Sequence, residues 1–192
     1  LKSILDGGQK NIAVVTSCPS GIIGDDVESI VNDLSLQYPD ATIIPLIEDG
    51  NVNGDFMQGV IDASIALTKA FVKTSFDKTD SVNLIGVKTI STNCIKNSDY
   101  VESILSKLGI KINCKYLGDA DIEDLKKLTE AKFNLLLNPD RFSMMLKQFL
   151  EDNYDMTFSN HIARPGLKAT TEWIREIGEC FGRTEAAENI IQ

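Results

Sequence analysis

Residues 12–28 read IAVVTSCPSGIIGDDVE, and this stretch decides both the fold and the place of a candidate site. The apolar run at its start predicts a β-strand that delivers Cys18 to its carboxyl end. A turn rich in Pro and Gly follows, and then two aspartates and the apolar spacing of a helix over about residues 25–37. Ligand sites of open α/β folds lie beyond the carboxyl ends of the strands, so Cys18 stands where such a site is expected.

Across the rest of the chain, apolar runs alternate with segments of helical periodicity, which is typical of parallel βα units. The apolar runs predict strands at residues 12–16, 41–47, 81–87, 110–117 and 133–137. The helical spacing predicts helices over 25–37, 56–72, 101–108, 122–128, 142–150 and 173–181, with Gly109 and Gly182 as stop signals. We therefore predict the α/β class, as Rossmann-like parallel sheets flanked by helices in two βα units. The polar residues 73–80 are the best candidate boundary between the two units.

Composition excludes several classes of partner. The 192 residues include 28 acidic and 19 basic side chains, for a formal net charge of −9. Because no stretch forms a basic stripe, we expect no nucleic-acid partner. No apolar run reaches the ~18 residues of a membrane span, so we expect no membrane partner. The chain begins with Leu1 rather than Met and ends just past a helix, and we interpret it as an internal piece of a longer protein.

The four cysteines are widely scattered, at positions 18, 94, 114 and 180, without a C-x-x-C pair. This spacing excludes a zinc finger and a self-contained ferredoxin-type cluster. A cytoplasm with reduced thiols is the expected compartment. Cys114, within a strand, and Cys180, on the apolar side of a helix, are expected in the core. Cys94, in a polar loop, is open to two interpretations, a free surface thiol or a ligand, of which the pattern favours the first. His161 is interpreted as a surface or capping group rather than a base.

Each part of residues 17–26 also has a purely structural interpretation. A lone cysteine after a strand is usually a small buried hydrophobe. Asp25 and Asp26 are typical helix-capping residues, and Gly21 and Gly24 can serve only to permit a tight turn. The string as a whole is much more specific than its parts.

Residues 17–26, SCPSGIIGDD, resemble the cluster-cysteine motif of nitrogenase component 1 proteins, (T/S/E)-C-P-x-x-(L/I)-I-G-D-D. Four weaker matches follow in the family's order, at Gly50–Gly59, Val82–Gly86 (V-N-I-I-G in the family), Ala131–Leu135 (A-x-x-N-L) and Pro165–Thr170. The resemblance implies that Cys18 ligates an iron–sulfur cluster lying between two homologous subunits. It also places Ser17, Pro19, Gly24 and Asn51 around that cluster and assigns no catalytic residue.

Three departures from the family pattern indicate which kind of subunit this is. In α-type catalytic subunits a cysteine ends the A-x-x-N-L strand and binds the active-site metal cofactor, whereas this chain has Asn138. The same subunits carry a histidine where this chain has Val60, and β-type subunits carry a serine where it has Asn51. Because an amide cannot replace a thiolate as a soft ligand, the resemblance implies a subunit that is more β-type than α-type.

The implied function is ATP-dependent, low-potential electron transfer within a nitrogenase-like oxidoreductase. The implied partners are a homologous sister subunit and an iron–sulfur reductase protein that uses ATP. The alternative within the family is a scaffold on which a metal cofactor is assembled and which catalyses no reaction on a substrate. A metal-free α/β domain that binds a small molecule is the third possibility, and it leaves the 17–26 string unexplained.

The resemblance also implies a division into domains. Residues 1–78 would be the carboxyl-terminal half of a first Rossmann-like domain, 79–160 a second one, and 161–192 a helix leading to a further domain. One thiolate is too few for an ordinary cluster, which needs about four ligands. We therefore expect the 192-residue chain on its own to hold no metal and to be catalytically silent.

Overall fold

The structure, a computed structural model, describes residues 1–47, 54–87, 94–162 and 166–192, without the side chains of Cys18 and Cys94. The chain divides into two compact units, Leu1–Ala70 and Phe71–Gln192. Each unit contains parallel strands flanked by helices, which confirms the predicted α/β class. The domain boundaries at 78/79 and 160/161 remain predictions about the longer protein.

The first unit is built on two parallel strands. In chain order its elements are α1 (Lys2–Asp6), β1 (Asn11–Val15), α2 (Cys18–Ile23), α3 (Val27–Gln37), β2 (Thr42–Leu46) and α4 (Phe56–Phe71), which ends at the division between the units. Strand β1 pairs with β2 in parallel, with Asn11 opposite Thr42 and Val15 opposite Leu46. The core of this unit joins α1, α3 and β2 through Leu5, Val31, Leu34 and Ile43.

The second unit is built on three parallel strands in the order β4-β3-β5. Its elements are β3 (Thr79–Ile85), α5 (Cys94–Lys107), β4 (Lys111–Tyr116), α6 (Ile122–Lys126), a 3-10 turn (Leu128–Glu130), β5 (Ala131–Leu136), α7 (Arg141–Tyr154), α8 (Leu167–Cys180) and α9 (Thr184–Ile191). Five successive residues of the central strand, Ser81–Ile85, are buried, as expected for a strand covered on both faces. Within the described ranges, no helix is long and apolar enough to cross a membrane.

The core of the second unit extends to the end of the chain. Trp173, Ile174 and Ile177 of α8 are buried in the same cluster as Val82 and Leu84 of β3. Ala187 of α9 belongs to that cluster as well. The last two helices therefore pack into the core of the second unit.

The turn predicted between β1 and the next helix is wrong, because residues 18–23 form the short helix α2. Pro19 lies in the first turn of α2, where a missing N–H group costs no intrahelical hydrogen bond. Gly24 ends the helix in the left-handed conformation, at φ 80°, and its N–H donates to the Ser20 carbonyl at 3.0 Å. Pro19 and Gly24, which indicate a turn in the sequence, therefore mark the start and the end of a short helix.

A row of three asparagines crosses the sheet of the second unit. Asn83 Nδ2 donates to Asn134 Oδ1 at 2.7 Å, and Asn113 Nδ2 donates to Asn83 Oδ1 at 2.9 Å. Asn83 Nδ2 also reaches the Leu128 carbonyl at 2.7 Å, and Asn134 Nδ2 reaches the Thr157 carbonyl at 2.8 Å. The pairing of β3 with β4 shifts register at Val82/Asn83, which makes Asn113 the extra residue on β4. The row therefore links all three strands through side-chain hydrogen bonds.

Helices α8 and α9 form a tight hairpin that depends on Gly178. A Cβ atom added at Gly178 would lie 2.6 Å from the Cβ of Ala187 and 3.3 Å from the Arg183 carbonyl oxygen. The Arg175 guanidinium also binds both carboxylate oxygens of Glu188, at 2.7 and 3.2 Å. Only a residue without a side chain permits this approach of the two helices.

We expect Gly178→Ala to lower the free energy of unfolding of the second unit by about 1–3 kcal/mol, the usual cost of overpacking. Helix propensity alone predicts the opposite result, because alanine is a better helix former than glycine. Urea unfolding followed by the fluorescence of Trp173, the single tryptophan, measures the change. Lys168→Ala on the same helix is the control, since its side chain is 91% exposed. A Gly178→Ala protein as stable as this control would contradict the packing argument.

Candidate functional site

The candidate site begins where β1 ends. Thr16 continues the strand by one residue, because its N–H donates to the Leu46 carbonyl at 2.9 Å. The Thr16 hydroxyl donates to the same carbonyl oxygen at 3.4 Å. The carboxyl ends of β1 and β2 are therefore held together immediately before residue 17.

Four of the five predicted site residues lie on α2 and its caps. Ser17 is the N-cap residue, with extended backbone at φ −118° and ψ 162°, and its side chain makes no capping hydrogen bond. Cys18 is the first helical residue, Pro19 lies in the first turn, and Gly24 is the C-cap. Ser17, Pro19 and Gly24 are exposed, so the chain on both sides of Cys18 faces solvent.

The two aspartates that follow connect this short helix to α3. Asp26 is the N-cap of α3, and its Oδ1 accepts a hydrogen bond from the Ser29 N–H at 3.0 Å. This confirms the capping interpretation for Asp26. The Asp25 carbonyl oxygen accepts from the Val27 N–H at 3.0 Å, so its main chain rather than its side chain shapes this link.

Large apolar side chains are exposed on the chain around Cys18. Val15 is 64% exposed, Ile22 77% and Ile23 75%. Asp25, Asp26 and Glu28 follow directly and are exposed as well. Exposed apolar surface rimmed by polar groups is typical of a face that another protein covers. The sequence signal for this face is the apolar Ile22-Ile23 pair within an otherwise small and polar segment.

The fifth predicted residue, Asn51, lies outside the described residues, together with 48–53. The structure resumes at Gly54, whose φ is 103°. Asp55 then begins α4 with a side-chain cap, because its Oδ1 accepts from the Gln58 N–H at 2.9 Å. Val60 follows within α4 and is half-buried. The long helix predicted over 56–72 is present as α4.

The other three cysteines lie in the second unit. Cys114 is 2% exposed within β4, and burial raises the pKa of its thiol to about 12, with a smaller contribution from Asp124 and Asp121. Cys180 is half-buried on α8, and burial also raises the pKa of its thiol. Cys114 is thus in the core, as predicted, whereas Cys180 packs against the core and is only partly buried. Cys94 is the first residue of α5, and its side chain lies outside the described part of the structure.

Chemically, the residues around position 18 can supply one soft ligand to a metal centre. In the described part of the chain, no three His, Cys, Asp or Glu side chains come together to hold a metal ion. A thiolate from Cys18 fits an iron–sulfur cluster as one ligand among several, since clusters are held by cysteine thiolates. The remaining ligands of such a cluster must come from another polypeptide or another segment.

We expect Cys18 to react with a thiol reagent faster than Cys114 and Cys180, because reactivity follows exposure and thiolate content. Ser17 and Pro19 beside it are exposed, whereas the other two thiols are partly or fully buried with raised pKa values. Timed labelling under native conditions, read out by peptide mass spectrometry, measures the order. Unfolded protein is the control, in which the three rates should converge. Equal native rates for Cys18 and Cys114 would contradict the prediction.

Asn138, the second position singled out in the sequence, makes a hydrogen bond within the fold. The Asn138 Nδ2 donates to the Gly86 carbonyl at 3.2 Å, and the Leu137 N–H donates to the Ile85 carbonyl at 2.9 Å. Gly86, at φ 87°, approaches α7 so closely that an added Cβ would lie 2.6 Å from the Ser143 hydroxyl oxygen. These contacts connect the segments that follow the carboxyl ends of β3 and β5.

His161 lies on the surface beside α8. Its Nδ1 is 3.9 Å from a Glu172 carboxylate oxygen, and its side chain is 46% exposed. Glu176 accepts hydrogen bonds from the N–H groups of Asn160 and His161, at 2.7 and 2.9 Å. The histidine is therefore part of a surface turn anchored by α8, in agreement with the surface interpretation.

Comparison with known proteins places the chain in a family. The family model described as nitrogenase component 1 type oxidoreductase matches residues 2–192. A light-independent protochlorophyllide reductase chain of Picosynechococcus sp. is 28% identical over 174 residues, which cover 86% of this chain and 34% of the relative. The nitrogenase molybdenum-iron protein alpha chain of Herbaspirillum seropedicae is 27% identical over 138 residues, covering 66% of this chain and 27% of the relative.

A solved structure described as "Nitrogenase Cp1 at pH 6.5" has the same fold. It superposes with a TM-score of 0.76 and 21% identity, covering 94% of this chain and 35% of that chain. The chain thus spans about a third of the length of the proteins it matches. The match of the family model over nearly the whole chain confirms the resemblance carried by residues 17–26. The chain belongs to the nitrogenase component 1 type oxidoreductases.

Proposed function

We propose that this chain is an internal part of a β-type subunit of a nitrogenase-like oxidoreductase. Within the full-length subunit, Cys18 would bind an iron–sulfur cluster at the interface with a homologous sister subunit. An iron–sulfur reductase protein that uses ATP would deliver low-potential electrons to this cluster, in a cytoplasm that keeps thiols reduced. The cluster would accept and pass on single electrons, and substrate chemistry would take place elsewhere in the complex.

The observation that carries this proposal is the position of Cys18. It is the first residue of a short helix that directly follows a strand held at its carboxyl end by Thr16. Pro19 and Gly24 fix the start and the stop of α2, and Asp26 fixes the start of α3. Ser17, whose hydroxyl caps no helix, remains available to donate a hydrogen bond to a cluster sulfur.

The exposed apolar side chains support the location at an interface. Val15, Ile22 and Ile23 present aliphatic surface to solvent on both sides of Cys18. Burial of such surface is worth about 25 cal/mol per Å², so a sister subunit covering this face would gain stability and exclude water from the cluster. Asn138 supports the β-type assignment, because its amide is engaged with Gly86 where an α-type subunit would need a thiolate.

The test is anaerobic purification of the full-length subunit together with its sister subunit, followed by iron and acid-labile sulfide analysis. We expect stoichiometric iron in the assembled pair and reduction of its cluster only with the reductase protein and ATP. Iron that the assembly binds and then releases to a separate apoenzyme would instead support the scaffold alternative. An assembled pair without iron would overturn the proposal.

A further inference from the structure

Strand β1 has one edge that no other strand covers in the described part of the chain, where it pairs with β2 alone. Lys10 and Thr16 both bond to the main chain of β2, at 2.7 and 2.9 Å. Successive residues of a strand direct their backbone groups to opposite sides, so the N–H and C=O groups of Asn11, Ala13 and Val15 face away from β2. These three residues are exposed.

Two other strand edges of the molecule carry features that prevent further pairing. On β2 the residues that face away from β1 are Ile43 and Pro45, and proline has no N–H group to donate. Strand β4, at the edge of the second sheet, carries Lys111 and Lys115, and charged side chains discourage pairing. The segment Asn11–Val15 contains neither a proline nor a charged residue. This difference indicates an edge that another strand covers.

The exposure of β1 leads to the same conclusion. None of its five residues is buried, whereas β2 buries Ile43, Ile44 and Leu46. In the second unit, the strand with neighbours on both sides, β3, buries five successive residues. Parallel strands are normally covered on both faces. Strand β1 therefore has the exposure of a strand that lacks a neighbour.

The helices beside β1 show where this neighbour belongs in the sequence. Helix α1 leads into β1, and α3 leads from β1 to β2. Leu5 of α1 and Leu34 of α3 are buried in one cluster, on the face of the sheet that carries Ile12. Crossovers between parallel strands are right-handed, and two successive crossovers with their helices on the same face advance in the same direction across the sheet. A strand that precedes α1 therefore lies on the side of β1 opposite to β2.

We propose that the free edge of β1 binds, in parallel, the extended segment that directly precedes helix α1 in the longer subunit. The inference rests on the proposed function in one respect, that the chain is an internal part of a subunit of which it spans about a third. The order in the completed sheet is this segment, β1 and β2, with β2 at the edge. Apolar residues at alternate positions of the segment fit best, because Ala13 and Val15 present apolar side chains on the exposed face of β1.

Hydrogen exchange resolved by residue tests the proposal, in the 192-residue chain and in the full-length subunit. The Ala13 and Val15 amides should exchange at least about tenfold more slowly in the full-length subunit, the effect of roughly one added hydrogen bond each. The Thr16 amide is the internal control, because it is bonded to Leu46 and should be protected in both proteins. The Ile43 amide, on the outer edge of β2, should exchange at the same rate in both.

Both proteins are measured without iron and without the sister subunit, so the result does not depend on whether Cys18 binds a cluster. Removing the residues that directly precede α1 from the full-length subunit should restore fast exchange at Ala13 and Val15, while the protected Thr16 amide shows that the first unit is still folded. Protection that persists after this deletion, equal Ala13 rates in the two unshortened proteins, or slower exchange at Ile43 instead would each overturn the proposal. Protection of Ala13 that increases with the concentration of the 192-residue chain would also overturn it, because a second copy would then occupy the edge.

Discussion

Replacing Cys18 by alanine in the full-length subunit is expected to abolish electron transfer through the assembled complex. If Cys18 is a cluster ligand, the variant loses a thiolate that no neighbouring side chain in α2 can replace, since residues 19–23 read PSGII. Loss of an outer-shell partner costs up to about 100-fold in metal affinity or activity, and loss of a ligand should exceed that. Reductase-dependent and ATP-dependent turnover, together with the iron content of the complex, measures the effect.

Cys180→Ala is the matched control for that experiment. It makes the same chemical change at a half-buried position on α8, in the other unit. It should lower stability slightly and leave iron content unchanged. Cys18→Ser adds a second comparison, because an alkoxide is a harder ligand than a thiolate and should change the reduction potential where it retains the cluster. Full activity and full iron content in the Cys18→Ala complex would show that Cys18 is not a ligand of the cluster.

The elements that the sequence can predict are those whose signals are local. Gly109 is predicted to stop the helix before it, and it does so at φ 67°, with the Ile110 N–H returning to the Leu105 carbonyl at 2.9 Å. The predicted strands of the second unit lie within about two residues of the observed ones, because each is a short segment rich in apolar residues. Such runs need no knowledge of their neighbours to be recognised.

The features that the sequence does not predict depend on distant partners or on ambiguous residues. A turn is predicted in place of helix α2 because Pro19 and Gly24 are typical of both structures. Helix α5 begins at Cys94, well before the predicted residue 101, because its first turns are mostly polar and show no apolar period. For the site, the sequence places Cys18 at the end of a strand. It cannot predict what completes the ligand set, because those groups lie outside this chain's local pattern.

The asparagine row is the clearest case of a long-range feature. Asn83 and Asn134 interrupt two apolar strands, VNLIG and FNLLL, and both belong to segments that carry the family resemblance. They lie 51 residues apart in the chain and become partners only when β3 pairs with β5. The sequence shows only that a polar residue interrupts each apolar strand. Which residue it bonds to is known only once the pairing of the strands is known.

Asn83→Ala is expected to destabilise the second unit by roughly 3 kcal/mol or more, because each buried polar group left without a partner costs about 1–3 kcal/mol. Asn83 is fully buried, and its amide serves three partners: the Leu128 carbonyl, Asn134 and Asn113. Asn134→Ala should cost less, because the Thr157 carbonyl keeps its bond from the main-chain N–H of residue 134 at 2.9 Å. Asn113→Ala should cost least, since this side chain is only half-buried.

Urea unfolding followed by Trp173 fluorescence reports on this unit, because Trp173 is fully buried in its core. Asn97→Ala, at an exposed position of α5, is the matched control and should change stability by less than about 0.5 kcal/mol. The double variant Asn83→Ala with Asn134→Ala should be more stable than the sum of the single losses predicts, by about 0.5–3 kcal/mol, because contacting residues couple. Strict additivity, or an Asn83→Ala protein as stable as the Asn97→Ala control, would mean that the row does not hold the sheet. The apolar packing of β3 and β5 alone would then account for their pairing.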